Sequence, residues 1–171
     1  EKLEALWQEL TFISNYVINM GVRFDFERGF FEERRKGVLS VTKISNLLSE
    51  AWQTWYGEST AGVDPYLWIS RGQFYKIDDY FYNYPYIFGT VCAYGLSEIR
   101  HRMPELFSKI YRDFLINSGR MSVDDLFKKF FKIDLTQPEF WESGLKAMER
   151  KIGVFEAEAR KYAEKAVRGN T

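Results

Sequence analysis

Apolar residues recur every three or four positions over long stretches of the chain, and this spacing constrains the possible folds more than any other feature. One series runs from Leu3 to Phe24, and another runs from Trp141 to Ala166. Such a spacing places the apolar side chains on one face of an α-helix. We therefore predict a first helix over 3–35 and a long final helix.

Capping residues and helix breakers divide the middle of the chain into shorter segments. Ser40 or Thr42 can cap a second helix, which Gly57 would end. The Gly- and Pro-containing stretch 57–72 predicts a loop. The aromatic stretch 74–88 alternates enough to form a strand. We predict instead a loop that leads into a helix, because the sequence that follows continues without turn signals.

Prolines and further capping residues indicate where the remaining helices begin. Pro85 would lie in the first turn of a helix, or kink it, and Pro104 marks either a kink or a new helix. Ser122 and Thr136 each begin a pattern that resembles a capping box. The expected fold class is therefore all-α, a multi-helix bundle of about six helices that forms a single domain over 1–171.

Charge and composition exclude several classes of function. Lys plus Arg and Asp plus Glu both number 24, so no overall field attracts nucleic acid or acidic lipid. No stretch approaches 18 consecutive apolar residues, so we expect a soluble chain without a membrane partner. Cys92 is the only cysteine, which precludes an intrachain disulfide and is compatible with the cytoplasm, the predicted location.

Metal-ligating residues are scarce in the sequence. A helical zinc hydrolase needs H-E-x-x-H, whereas this chain has one histidine, His101, between two arginines. We interpret His101 as a surface or helix-terminus residue. Cys92 lies in an apolar run and is interpreted as a buried, inert thiol. The chain alone is therefore expected to bind no metal tightly and to cleave no peptide.

Tyrosines are the one chemically suggestive group. Tyr82 and Tyr86 are four residues apart, and Gly89 follows three residues later, so a helix would place all three on one face. The hydroxyls could donate to an oxyanion or a peptide carbonyl, while the glycine lets a ligand approach the backbone. The alternative is an aromatic core in which the hydroxyls are satisfied locally. Spacing alone favours that alternative.

The same residues resemble a known family. Gln73-Phe-Tyr75 and Phe81-Tyr-Asn-Tyr-Pro-Tyr-Ile-Phe-Gly89 resemble the H-F-Y … F-Y-x-[FY]-P-Y-x-[FY]-G segment of the oligoendopeptidase F branch of the thimet-type zinc metallopeptidases. The resemblance covers most of the chain. Further segments resemble the helix pair that precedes this motif in the family: Phe26-Glu27, Gly37-Val-Leu-Ser40 and Trp55-Tyr-Gly57.

The resemblance implies that the chain is the C-terminal segment of a larger helical metallopeptidase fold. In that family the zinc ligands and the catalytic Glu lie upstream, so zinc would be the cofactor of the parent enzyme and this chain would hold none. The chain would then be a fragment that supplies one wall of a channel for oligopeptide substrates. Its expected partners are the missing upstream part and, through exposed apolar surface, a second copy.

The resemblance also assigns site residues. Family tyrosines at the positions of Tyr82 and Tyr86 contact the substrate and the transition-state oxygen, with Tyr86 slightly favoured for the oxygen. Gln73, Tyr75 and Gly89 would contact substrate. Gln73 stands where the family usually has His, and Gln can donate a hydrogen bond but cannot carry a proton. This departure predicts altered activity or a degenerate homologue.

Three hypotheses of function follow. The first is the C-terminal portion of a zinc oligopeptidase, active as the complete enzyme but not as this chain alone. The second is a non-catalytic helical peptide-binding module that kept the channel wall. The third is a plain helical interaction domain whose aromatic residues form its core.

Overall fold

A computed structural model describes residues 1–75, 78 and 80–168, and for Tyr75 and 166–168 it describes only the backbone. The described residues form helices and no β-strand, so the predicted all-α multi-helix architecture is confirmed. The aromatic alternation over 74–88 does not produce a strand in the described part of that segment. No helix among the described residues is both long and apolar enough to cross a membrane.

The first helical stretch changes its winding part-way. It consists of α1 (Lys2–Ile13), a π-helical segment (Ser14–Asn19) and α2 (Met20–Arg34). The predicted single helix over 3–35 has nearly these outer bounds, but apolar spacing gave no sign of the π-helical turn. Such a turn takes in an additional residue and so rotates the faces that the helix presents on either side of it.

Caps define the next elements. In α3 (Val41–Tyr56), the Ser40 hydroxyl accepts a hydrogen bond from Lys43 N at 3.2 Å, so Ser40 and not Thr42 is the cap. The helix ends at Gly57, whose φ of 53° suits glycine. The remaining elements are two 3₁₀ helices (Leu67–Ser70 and Gly72–Tyr75), α4 (Tyr84–Arg102), α5 (Pro104–Asn117), α6 (Val123–Phe131) and α7 (Pro138–Arg168).

The two predicted capping boxes have different outcomes. The Ser122 hydroxyl accepts from Asp125 N at 3.2 Å and caps α6. Thr136 does not cap α7, because that helix begins at Pro138 and the Thr136 hydroxyl instead donates to Asp134 Oδ1 at 2.7 Å. Asp134 competes successfully because its carboxylate also accepts the Thr136 backbone N–H at 3.0 Å.

The chain divides into two compact units, one of Thr11–Thr90 and one of Glu1–Leu10 with the chain from Val91 onward. In the Thr11–Thr90 unit, α2 packs on α3 around a core of Val22, Phe26, Leu48 and Ala51. The Trp55 indole lies directly over Gly21, where an added Cβ would meet the ring at 2.4 Å. Glycine therefore permits the close approach of α2 and α3.

The other unit has an aromatic core formed by α5, α6 and α7. The Phe127 ring lies 5.2 Å from the Phe114 ring and 5.0 Å from the Phe140 ring, in edge-to-face arrangements. Helix α7 approaches α4 closely at Gly144, where an added Cβ would lie 2.7 Å from the Val91 carbonyl oxygen. Glycine again sets how near two helices can come.

Candidate functional site

Tyr82 and Tyr86 lie together at the start of α4. Their hydroxyl oxygens are 3.1 Å apart, and their ring centroids are 5.8 Å apart. Helix α4 begins at Tyr84, so Tyr82 lies in the turn before the helix and not on it. The predicted proximity therefore arises from a turn followed by a helix, whereas we expected one continuous helical face.

The tyrosine pair is not part of a closed core. Tyr82 is 44 % exposed and Tyr86 is 38 % exposed. The hydrogen bond with Tyr82 raises the pKa of the Tyr86 hydroxyl above its ordinary value. A tyrosine hydroxyl can donate one hydrogen bond and accept others, so the contact between the two hydroxyls does not use all the hydrogen-bonding capacity of the pair. The pair can therefore act as an outward-facing hydrogen-bond donor whose strength the inner bond increases.

A third tyrosine that the sequence analysis missed adjoins this pair. Tyr16 lies in the π-helical segment, and its ring centroid is 5.8 Å from that of Tyr86. Phe12 packs against Tyr16 from the preceding turn in a tilted arrangement, with centroids 4.4 Å apart. π-helical turns are common at functional sites because they redirect side chains. Nothing in the apolar spacing of the first helix pointed to Tyr16.

The other predicted site residues are less closely grouped. Gln73 is half-buried in the 3₁₀ helix Gly72–Tyr75, and no hydrogen bond joins it to the tyrosine pair in the described part of the chain. The Tyr75 side chain lies outside the described residues. Gly89 is exposed on α4, and a Cβ added there would meet nothing within 4 Å. Packing therefore does not require Gly89, although its bare backbone leaves that surface open to a ligand.

A buried carboxyl group lies beside the turn that carries Tyr82. Glu27, on α2, is only 4 % exposed, and its Oε1 accepts a hydrogen bond from Phe81 N at 2.7 Å. Burial raises the Glu27 pKa, and the Phe81 hydrogen bond lowers it by a smaller amount. Its Oε2 has no hydrogen-bond partner among the described residues, and the same holds for Nδ2 of the buried Asn83.

Glu27 also lines a cavity of about 90 Å³ with six apolar side chains: Phe26, Phe30, Phe31, Ile44, Trp68 and Phe74. An acidic residue inside an aromatic run, Phe24-Asp-Phe-Glu27, was the sequence signal for this site. In the sequence, Phe26-Glu27 contributes to the family resemblance, and apolar spacing gives Glu27 no separate role.

Tyr94 is a tyrosine of this protein whose hydroxyl has a structural role. Its hydroxyl donates to Glu9 Oε1 at 3.0 Å, and Oε2 of the same carboxylate accepts a hydrogen bond from Lys151 Nζ at 3.3 Å. Burial and the Glu9 carboxylate raise the Tyr94 pKa strongly. A hydroxyl held in this way has no proton to offer a ligand. The Tyr82 and Tyr86 hydroxyls differ in that they contact each other at the surface and not a carboxylate.

The possible metal-ligating side chains in the described ranges do not cluster into a metal site. These ranges contain no group of three or more His, Cys, Asp or Glu side chains placed to hold a metal ion. His101 is exposed in the last turn of α4, with Nδ1 3.8 Å from Glu98 Oε1. Cys92 is buried, and burial raises the pKa of its thiol to about 12. The predicted surface histidine and buried thiol are both confirmed.

Comparison with known proteins gave no assignment. No model of a protein family matches the chain. Neither the characterised proteins nor the solved structures with which it was compared gave a match. The resemblance to the oligoendopeptidase F branch therefore stays a prediction based on the tyrosine-containing segment.

Proposed function

We propose that the chain forms one wall of the active-site channel of a zinc-dependent oligopeptidase and binds short peptides there. The observation that carries the proposal is the pair of exposed tyrosine hydroxyls, 3.1 Å apart, at the start of α4. The half-buried Tyr94 donates its hydroxyl to the Glu9 carboxylate, whereas the Tyr82 and Tyr86 side chains are exposed and their hydroxyls contact each other. The resemblance of the same segment to a peptidase motif supplies the substrate class.

In this proposal the tyrosines act as hydrogen-bond donors to the peptide backbone. Tyr86 donates to the oxyanion that develops on the scissile carbonyl, and Tyr82 holds the substrate backbone. The bond between the hydroxyls fixes both before substrate arrives, so little reorganisation accompanies the reaction. Exposed Gly89, one turn further along α4, lets the peptide backbone approach the helix.

Zinc would be held by other parts of the parent protein. The residues described here do not fit a zinc site, since a catalytic zinc needs three protein ligands and no such group is present among them. The ion would supply the Lewis acid for attack on the carbonyl. A cytoplasmic location and the upstream part as partner belong to the same proposal.

Substitution in the full-length protein tests the roles of the tyrosines. Tyr86→Phe should lower kcat by roughly 100-fold and leave KM nearly unchanged, because the lost donor acts mainly in the transition state. Tyr82→Phe should mainly raise KM. Gly89→Ala should raise KM without loss of stability, since an added Cβ meets nothing within 4 Å. Normal turnover in both tyrosine variants would show that these hydroxyls are structural.

Tyr80→Phe is the matched control for these substitutions. Tyr80 is also exposed, and its ring packs on Phe31 at 5.5 Å. Removing its hydroxyl makes the same chemical change in the same segment, so kcat and KM should stay at the values of the unsubstituted protein.

A non-catalytic peptide-binding module is the second candidate, and Gln73 favours it. Gln73 stands at the position where the family usually has a proton-carrying His. The two candidates differ in the upstream sequence. The peptidase requires H-E-x-x-H before Glu1, whereas the binding module would lack those ligands yet still bind peptide. Sequencing the upstream reading frame decides between them.

A further inference from the structure

The turn that carries Tyr82 contains a backbone conformation that its sequence does not favour. Phe81 has a φ of 54°, in the left-handed region that bulky L-residues seldom occupy. Such a conformation costs free energy and persists only when surrounding contacts hold it. The contacts of Phe81 therefore decide whether the turn keeps its shape.

Helix α2 supplies those contacts. Glu27 Oε1 accepts the Phe81 backbone N–H at 2.7 Å, and the Glu27 side chain is buried while Phe81 is half-buried. The Phe81 ring packs between two aromatic rings of the same helix, with centroids 5.4 Å from Phe24 and 5.7 Å from Phe31. A hydrogen bond that is partly shielded from water is electrostatically stronger than one at the surface. Glu27 is thus the polar anchor of the turn.

The anchored turn sets the direction of both tyrosines. Phe81 O accepts from Tyr84 N at 3.0 Å, and Asn83 O accepts from Tyr86 N at 3.2 Å, so the turn leads directly into α4. Tyr86 takes its direction from the helix. Tyr82 precedes the helix and takes its direction from the conformation of the turn. The geometry of the 3.1 Å hydroxyl pair therefore depends on the conformation of the turn.

We propose that Glu27 is a positioning residue, which sets the Tyr82–Tyr86 hydroxyl pair by holding the Phe81 N–H. Any catalytic consequence rests on the proposed function, whereas the positioning itself does not. Glu27 contacts no substrate in this proposal and acts through the turn. Burial raises the Glu27 pKa, and both its ionised and its neutral form keep an acceptor oxygen for Phe81.

The pKa of Tyr86 in the isolated chain reports on this positioning directly. Its hydrogen bond to Tyr82 raises the Tyr86 pKa, so a displaced Tyr82 should return that pKa toward its ordinary value. NMR with ring-labelled tyrosine measures this pKa without any activity assay. In Glu27→Leu, which removes the acceptor and keeps the bulk, the Tyr86 pKa should fall and the Tyr82 ring signal should shift. In Glu27→Gln, which keeps an acceptor oxygen, both should stay close to their original values.

Two controls separate positioning from loss of stability. Glu32→Leu makes the same chemical change at an exposed site of α2 and should leave Tyr86 unaffected. Phe26→Leu weakens the core of the same unit without touching the Phe81 N–H, and it should lower stability while the Tyr86 pKa stays raised. An unchanged Tyr86 pKa in folded Glu27→Leu would overturn the proposal, and so would the same fall in Phe26→Leu.

If Glu27→Leu does not fold, Glu27→Asp is measured in the same way. Its carboxylate is one methylene shorter, which withdraws the acceptor from Phe81 N. A lowered Tyr86 pKa supports the proposal and an unchanged one contradicts it. Turnover of the full-length Tyr→Phe variants tests the proposed function separately, so either idea can fail without the other.

Discussion

At the scale of single residues, burial and one hydrogen-bond partner decide what each reactive side chain can do. Tyr86 is exposed and bonded to another hydroxyl, whereas Tyr94 is held by a carboxylate. Cys92 is buried, and burial raises the pKa of its thiol to about 12. Residues of one type therefore have different chemistry according to their surroundings.

Cys92 should react very slowly with thiol reagents while the chain is folded. The thiolate is the reactive species, and a pKa near 12 instead of 9.0 lowers its fraction at pH 8 roughly 1,000-fold. Absorbance with a disulfide reagent should show slow labelling in buffer and complete labelling in denaturant. The reference is Ala61→Cys in a Cys92→Ala background, which places a thiol in an exposed loop. Equal rates for the two thiols would contradict the buried assignment.

Sequence could identify the tyrosines of the candidate site but not how they are arranged. The spacing of Tyr82 and Tyr86 predicted proximity, and their hydroxyls do meet. The turn at Phe81 and the role of Glu27 could not be predicted, because they depend on a contact between residues 54 positions apart. Tyr16 was also missed, since its approach to Tyr86 depends on the π-helical winding.

At the scale of elements, capping residues and prolines predicted where several helices begin. Ser40 and Ser122 cap the helices that follow them, and α5 begins at Pro104, one of its two predicted outcomes. Thr136 failed as a cap because Asp134, two residues earlier, binds it. A capping side chain can instead form a hydrogen bond with a neighbouring side chain, and a sequence motif does not show which bond forms.

Two glycines of α7 should respond oppositely to the same substitution. Gly144→Ala places a Cβ 2.7 Å from the Val91 carbonyl oxygen, and a backbone atom cannot easily move away. We expect it to lower the free energy of unfolding by about 1–3 kcal/mol. Gly153→Ala meets nothing within 4 Å and should raise that free energy by up to about 1 kcal/mol through helix propensity. Urea unfolding measures both, and equal effects would contradict the close α4–α7 approach.

At the scale of the whole molecule, each unit has a core of its own and apolar side chains still remain at the surface. Helix α5 alone exposes Leu106 by 54 %, Leu115 by 51 % and Ile116 by 50 %. Leu115 and Ile116 line an open groove together with Phe107 and Tyr111. Exposed apolar clusters of this kind mark contact surfaces. Under the proposed function the upstream part of the parent enzyme would cover this surface, and we expect a second copy to cover it in the isolated chain.

The isolated chain should therefore associate through α5. Burying a half-exposed leucine contributes about 1 kcal/mol, so Leu115→Gln should weaken association roughly fivefold. Sedimentation velocity over a concentration series should show a rising average mass for the unsubstituted chain and a weaker rise for Leu115→Gln. Lys109→Gln introduces the same side chain at an exposed polar site of α5 and should leave association unchanged. A chain that stays monomeric at every concentration, or a Leu115→Gln variant that associates as strongly as Lys109→Gln, would show that these side chains form no contact surface.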